Sequence, residues 1–309
     1  MAKRYINPLT DYGFKKIFGD NEVMREFLND VISPTTPIDS VEFLDKEMQA
    51  ACASERGVIY DLRCTTQDGR EFIVEMQKCG QRFFYDRMLY YMSRSISEQG
   101  ERGKRKAGSD DNVGDAARWD FRLHPVYGVF ILDFHLEGLE PRPFRAMSIR
   151  VDDTGERVSD KLAMFTLELP DFNKMDETDC NKKTDYWSYM MTHLEHNEGR
   201  IPFEDVMPIF GKVATMAELS KMSSDERRRY EDSEDLYLSN LAAWDYNYEK
   251  GIDKGWIEGK AEGLAEGEAR GLAKGEARGL AKGKAEGEAK KAVEIARALK
   301  KQGLPVEMI

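Results

Sequence analysis

Val23, Met24, Phe27, Leu28, Val31 and Ile32 recur at helical spacing, which predicts an amphipathic helix over residues 21–32. Residues 35–37 form a turn, and 38–43 alternate weakly enough to suggest a strand. Residues 58–66 and 70–78 are two clearer strands joined through Gln67-Asp68-Gly69. A second helix is expected over 83–97, with Phe84, Met88, Tyr91, Met92 and Ile96 along one stripe. Residues 101–118 break the pattern; they are polar, contain Lys104-Arg105-Lys106, and predict a solvated insertion within the first domain. Residues 126–134 are apolar on both faces, as a buried central strand requires. Further strands follow at 144–151 and 165–169, and 185–249 reads as mostly helical with breaks near Pro202 and Pro208.

The pattern changes after Lys250. Glycine falls at every fourth position from Gly251 to Gly287, with alanine two residues after each glycine over 261–289. The chain thus divides into a first domain, 1–250, and a low-complexity tail, 251–309. Residues four apart neighbour one another on a helix, so Gly and Ala would form small-residue ridges that allow close approach of another helix. A flexible linker is the competing reading, because glycine costs a helix interior ~1 kcal/mol relative to alanine.

Composition narrows the class. No run reaches the ~18–20 apolar residues of a membrane span, and the first residues turn polar at once, unlike a secretion signal. The four cysteines, Cys52, Cys64, Cys79 and Cys180, form no CxxC pair, which argues against a zinc knuckle or a disulfide framework and points to the cytoplasm. His124, His135, His193 and His196 make no metal set by spacing. The net charge of −11 means that any nucleic acid must be held by a local cationic surface.

The chemistry concentrates in the hairpin. A two-residue turn would place Asp61 opposite Met76, whereas a three-residue loop, 67–69, pairs Thr66 with Arg70 and Asp61 with Glu75. Gly69 suits the left-handed position of the longer loop. That register also gathers Val58, Tyr60, Leu62, Cys64, Phe72, Val74 and Met76 on one apolar face. It leaves Asp61, Arg63, Glu71, Glu75 and Gln77 on the other. Two carboxylates ~5 Å apart repel unless a cation lies between them, and hard oxygen ligands favour Mg²⁺ or Mn²⁺. Gln77 points the same way and can orient a water or phosphate. Taken from spacing alone, the favoured reading is a solvated face, with the acids ion-paired to Arg63 or a neighbouring lysine.

Asp61 followed by Glu75-x-Gln77, between one helix and an aromatic-rich second, resembles the PD-(D/E)XK nucleases. More narrowly the chain resembles the Rpn family of recombination-promoting nucleases and putative transposases. The residues that carry this are 11–19 (Asp-Tyr-Gly-Phe-Lys-Lys-Ile-Phe-Gly), 86–91 (Asp-Arg-Met-Leu-Tyr-Tyr), 124–134 and 167–170. The resemblance implies an α/β restriction-endonuclease-like fold, a mixed central sheet flanked by helices, followed by a helical region and a long C-terminal helix. It implies a Mg²⁺-dependent DNA endonuclease with Asp61 and Glu75 as metal ligands. Gln77 stands where the superfamily signature has lysine. Glu22, on the helix over 21–32, is the candidate third ligand, and Arg87 the candidate substrate contact. Phe14, Phe18, Tyr90 and Tyr91 are expected in the core. The alternative is a nuclease-fold module that binds DNA or protein without cutting and assembles through its tail, by self-association or on a partner helix.

Overall fold

The computed structural model describes residues 3–45, 47–48, 58–80, 82–108 and 121–301. The chain divides into two units, Met1–Asn240 and Leu241–Ile309.

The first unit opens with α1 (Asp11–Phe18), which the apolar pattern alone did not reveal. The Thr10 side chain accepts a hydrogen bond from the Gly13 N–H and so caps an eight-residue helix that buries Phe14, Ile17 and Phe18. Then comes α2 (Asn21–Ile32), with the expected bounds, capped by the Asp20 carboxylate on the N–H groups of Glu22 and Val23. The main sheet holds β1 (Glu42–Phe43), β4 (Leu62–Thr65), β5 (Glu71–Gln77), β6 (Val126–Leu132), β7 (Phe144–Ser148) and β8 (Leu162–Glu168) in the order β1-β4-β5-β6-β8-β7. The inner strands β5, β6 and β8 run parallel, and β1, β4 and β7 pair antiparallel at the flanks. This is a mixed α/β sheet.

Helices cover both faces. Leu62, Cys64, Phe72, Val74, Val129, Ile131 and Leu167 pack against α1, α2, α4 (Lys183–His193) and α5 (Ile209–Ala217) around Trp187. On the other face Ile73, Val126, Phe130 and Leu132 pack under Phe84, Met88 and Met92 of α3 (Phe84–Gly108). The hairpin face expected to be polar is therefore covered. Arg63, buried, pairs with Glu71 at 2.9 Å and with Glu98 at 2.5 Å, and Ser95 and Arg102 of α3 also bond to Glu71. Helix α3 reaches Gly108, so the first part of the expected insertion, including the Lys104-Arg105-Lys106 backbone, is helical. The rest of that insertion lies outside the described residues.

The expected strand over 58–66 is two pieces. Residues Val58–Ile59 form β3, which pairs with β2 (Glu47–Met48) in a separate sheet, and the chain bends at Asp61 before β4 begins. Tyr60 consequently joins the α3 side, its hydroxyl donating to the Tyr91 carbonyl oxygen at 3.0 Å, and not the side of Leu62 and Cys64.

The last helix, α6 (Ser224–Lys301), begins in the first unit, where Tyr230 is buried and accepts a hydrogen bond from the Asn7 N–H. In the second unit it is helical to Lys301 through all ten periodic glycines, and a Cβ at any of them would meet open space. Trp256, Leu264, Leu272 and Leu280 are exposed there. Among the described residues no helix is long and apolar enough to cross a membrane.

Candidate active site

The hairpin register fixes the site. Leu62 faces Val74, Arg63 faces Ile73, Cys64 faces Phe72 and Thr65 faces Glu71. The Thr66 N–H donates to the Arg70 carbonyl, and Gly69 sits at φ +83°, as the three-residue loop requires. Extending that register by one residue sets Asp61 opposite Glu75.

At Asp61 the ladder gives way to side chains. The Asp61 N–H donates to Glu75 Oε1 at 3.0 Å, and the Met76 N–H donates to Asp61 Oδ2 at 2.9 Å. Each carboxylate thus spends one oxygen on the opposing strand, which pins both in place. On its second oxygen Glu75 accepts from Gln77 Nε2 at 3.3 Å, and Arg87 Nη2 of α3 approaches the same atom at 3.7 Å. The Arg87 guanidinium lies over the Tyr91 ring, 5.0 Å from its centre.

Glu75 is 1% exposed. Burial, reinforced by the charge of Asp61, pushes its carboxyl up to about 8. Burial likewise raises Asp61, against the lowering effect of the Met76 N–H. A buried acid beside a half-buried one of like charge is an arrangement that a cation relieves. Mg²⁺ commonly takes one or two carboxylates and completes its shell with water and substrate phosphate, so the donor set fits such an ion. Among the described residues no group of three His, Cys, Asp or Glu side chains is placed to hold a metal.

Glu22 is not brought to the pair. The Asp20 cap turns it outward, where it is exposed and bonds to Lys212 at 2.8 Å in a cleft shared with Glu26, Asp30 and Lys183. The acid on the first helix that acts on Asp61 is Asp11, which raises its pKa, beside Lys15, which lowers it; the two form an ion pair on α1. Thr10 as a cap followed by an acid and the Phe14, Ile17, Phe18 stripe was the signal for that helix. Arg63 serves Glu71 and Glu98, so it is not the partner of Asp61 or Glu75. Phe14 and Phe18 are core and Tyr91 is half-buried, but Tyr90 is 43% exposed because it lies on the outer face of α3. His193 stacks on Tyr189 and His135 Nδ1 contacts the buried Glu168 carboxylate at 3.0 Å.

Comparison with known families places residues 8–247 in a match to the PD-(D/E)XK nuclease family transposases. No curated protein and no solved structure matches. The match spans most of the chain and includes the sheet, α3 and both carboxylates, and the chain belongs to the PD-(D/E)XK nuclease family of transposases.

Proposed function

We propose that this protein is a metal-dependent DNA endonuclease whose catalytic centre is Asp61, Glu75 and Gln77. The observation that carries the reading is a pair of crossed bonds over the hairpin, the Asp61 N–H on Glu75 and the Met76 N–H on Asp61, which hold a half-buried and a buried carboxylate together at the edge of α3. Asp61 and Glu75 would hold Mg²⁺ or Mn²⁺ through their second oxygens. That ion supplies Lewis acidity toward a phosphoryl oxygen and lowers the pKa of water bound to it. Gln77 fixes Glu75 through its amide and can orient water or phosphate by hydrogen bonding, but it adds no charge. Arg87 brings a cation to the site and is the substrate contact in this reading. Asp11 and Lys15 act on the pair through their fields.

Asp61→Ala and Glu75→Ala should each abolish Mg²⁺-dependent plasmid nicking while the melting temperature stays at or above that of the parent. Nicking by both variants at the parent's rate would remove the assignment.

A second reading, a DNA- or protein-binding module without turnover, is favoured by two features: Gln77 in place of a lysine, and the absence of a third acidic ligand among the described residues. A metal titration that raises DNA binding but yields no nicked product would select it. In both readings the tail is a self-association or partner helix, and the buried free thiols Cys64 and Cys180 suit a cytoplasmic role in DNA recombination.

A further inference from the structure

We infer that the outer face of α3 is a track for single-stranded DNA, with Phe83 and Tyr90 as stacking platforms for unpaired bases; this rests on the catalytic reading of Asp61 and Glu75. Arg87 and Tyr90, at i and i+3, share one face of the helix, and Arg94, one turn further on, keeps its guanidinium Nε buried. Phe83 stands at the head of that face, its carbonyl accepting from the Arg87 N–H at 3.1 Å. It is 65% exposed and holds φ +62°, a left-handed conformation that a bulky non-glycine residue rarely adopts. A large aromatic held outward in a strained conformation four residues ahead of Arg87 calls for a ligand with a π-face.

Charge selects a polyanion. The chain carries a net −11, yet residues 82–94 carry three arginines against one acid, Asp86. Arg82, just ahead of it, lays its guanidinium over the Phe83 ring at 4.9 Å. Arginines interleaved with exposed rings are the groove chemistry of single-strand binding, in which bases stack and phosphates are neutralised. Phe83, one residue ahead of the helix, and Tyr90 are separated by about two helical turns, on the order of 10 Å, or about three base steps at ~3.4 Å. A duplex keeps its base faces inside the stack and gains nothing from either ring. Arg87, between the rings, leads the strand toward Glu75.

Fluorescence anisotropy in EDTA tests this on the full chain, with a labelled 15-nucleotide oligothymidine and a blunt 15-base-pair duplex as probes. The single strand should bind roughly tenfold more tightly than the duplex, and Phe83→Ala and Tyr90→Ala should each weaken it by roughly tenfold. Duplex binding should move less than twofold, and Tyr90→Phe should retain single-strand affinity. Equal or tighter duplex binding, or single-strand binding indifferent to both alanine variants, would overturn the track. Ring-dependent single-strand binding without Mg²⁺-dependent nicking would sink only the catalytic reading, and nicking without ring dependence only the track.

Discussion

A carboxyl group that titrates near 8 in the folded chain and at 4.5 when unfolded destabilises the fold once it ionises. The sign follows from proton counts. Between 4.5 and about 8 the native Glu75 holds a proton that the unfolded chain has lost, so stability falls as pH rises through that interval. The divalent ion proposed for Asp61 and Glu75 would replace that proton, and its affinity should climb as pH approaches 8. Glu75→Gln keeps the shape and removes the charge. In metal-free buffer at pH 9 it should melt roughly 5 °C or more above the parent, with the gain gone at pH 4. Calorimetry at the two pH values checks this; an equal shift at both would mean that Glu75 is not held protonated by its surroundings. Spacing put Asp61 and Glu75 on one face, but the pKa shift was not legible, because it comes from α3 closing over that face. Arg63 is the companion case. Alternation placed it with the acids, and only tertiary packing chose Glu71 and Glu98 as its partners.

Among the elements, the hairpin was the most legible and its loop the most constrained. Gly69 at φ +83° sets the three-residue register, and a Cβ there would meet the His124 ring at 2.4 Å. The backbone that carries this ring is anchored, since the His124 main-chain N–H is bonded to Gln99 Oε1 on α3 at 2.9 Å. Gly69→Ala should therefore cost about 2 kcal/mol, a fall of several degrees in melting temperature. It should also reduce nicking in proportion to the register lost. Unchanged stability and activity would show that the loop tolerates other turns and does not set the pairing of Asp61 with Glu75. The bend at Asp61 was not legible, because a continuous alternation over 58–66 hides a change of sheet made by side chains capping backbone N–H groups. The eight-residue α1 was missed for another reason. Two turns carry too few apolar positions for a stripe, so its cap, Thr10, held most of the information. Glu22 was therefore chosen from the next helix, whereas the helical acid whose charge acts on Asp61 is Asp11.

Across the whole chain, charge and periodicity set the tail, residues 251–309, apart from the rest. Residues 251–309 carry twelve cationic and ten acidic side chains, so the net −11 becomes −13 for residues 1–250. Ten interior glycines cost a helix ~1 kcal/mol each relative to alanine, far more than i,i+4 pairs such as Lys254–Glu258 and Glu266–Arg270 return at ~0.2–0.5 kcal/mol each. A helix so composed needs cover. Trp256, Leu264, Leu272 and Leu280 recur every eight residues, and eight residues advance ~80° beyond two full turns. The apolar line therefore winds around the helix, and a partner that follows it must wind with right-handed sense. Leu272 is central to that line. Sedimentation velocity of the full chain should show concentration-dependent association, and Leu272→Glu should weaken it by an order of magnitude while leaving the first unit's melting unchanged. Parent and variant sedimenting alike as monomers at high concentration would leave the glycine ridge without a partner copy, and the tail's helix would then depend on another protein.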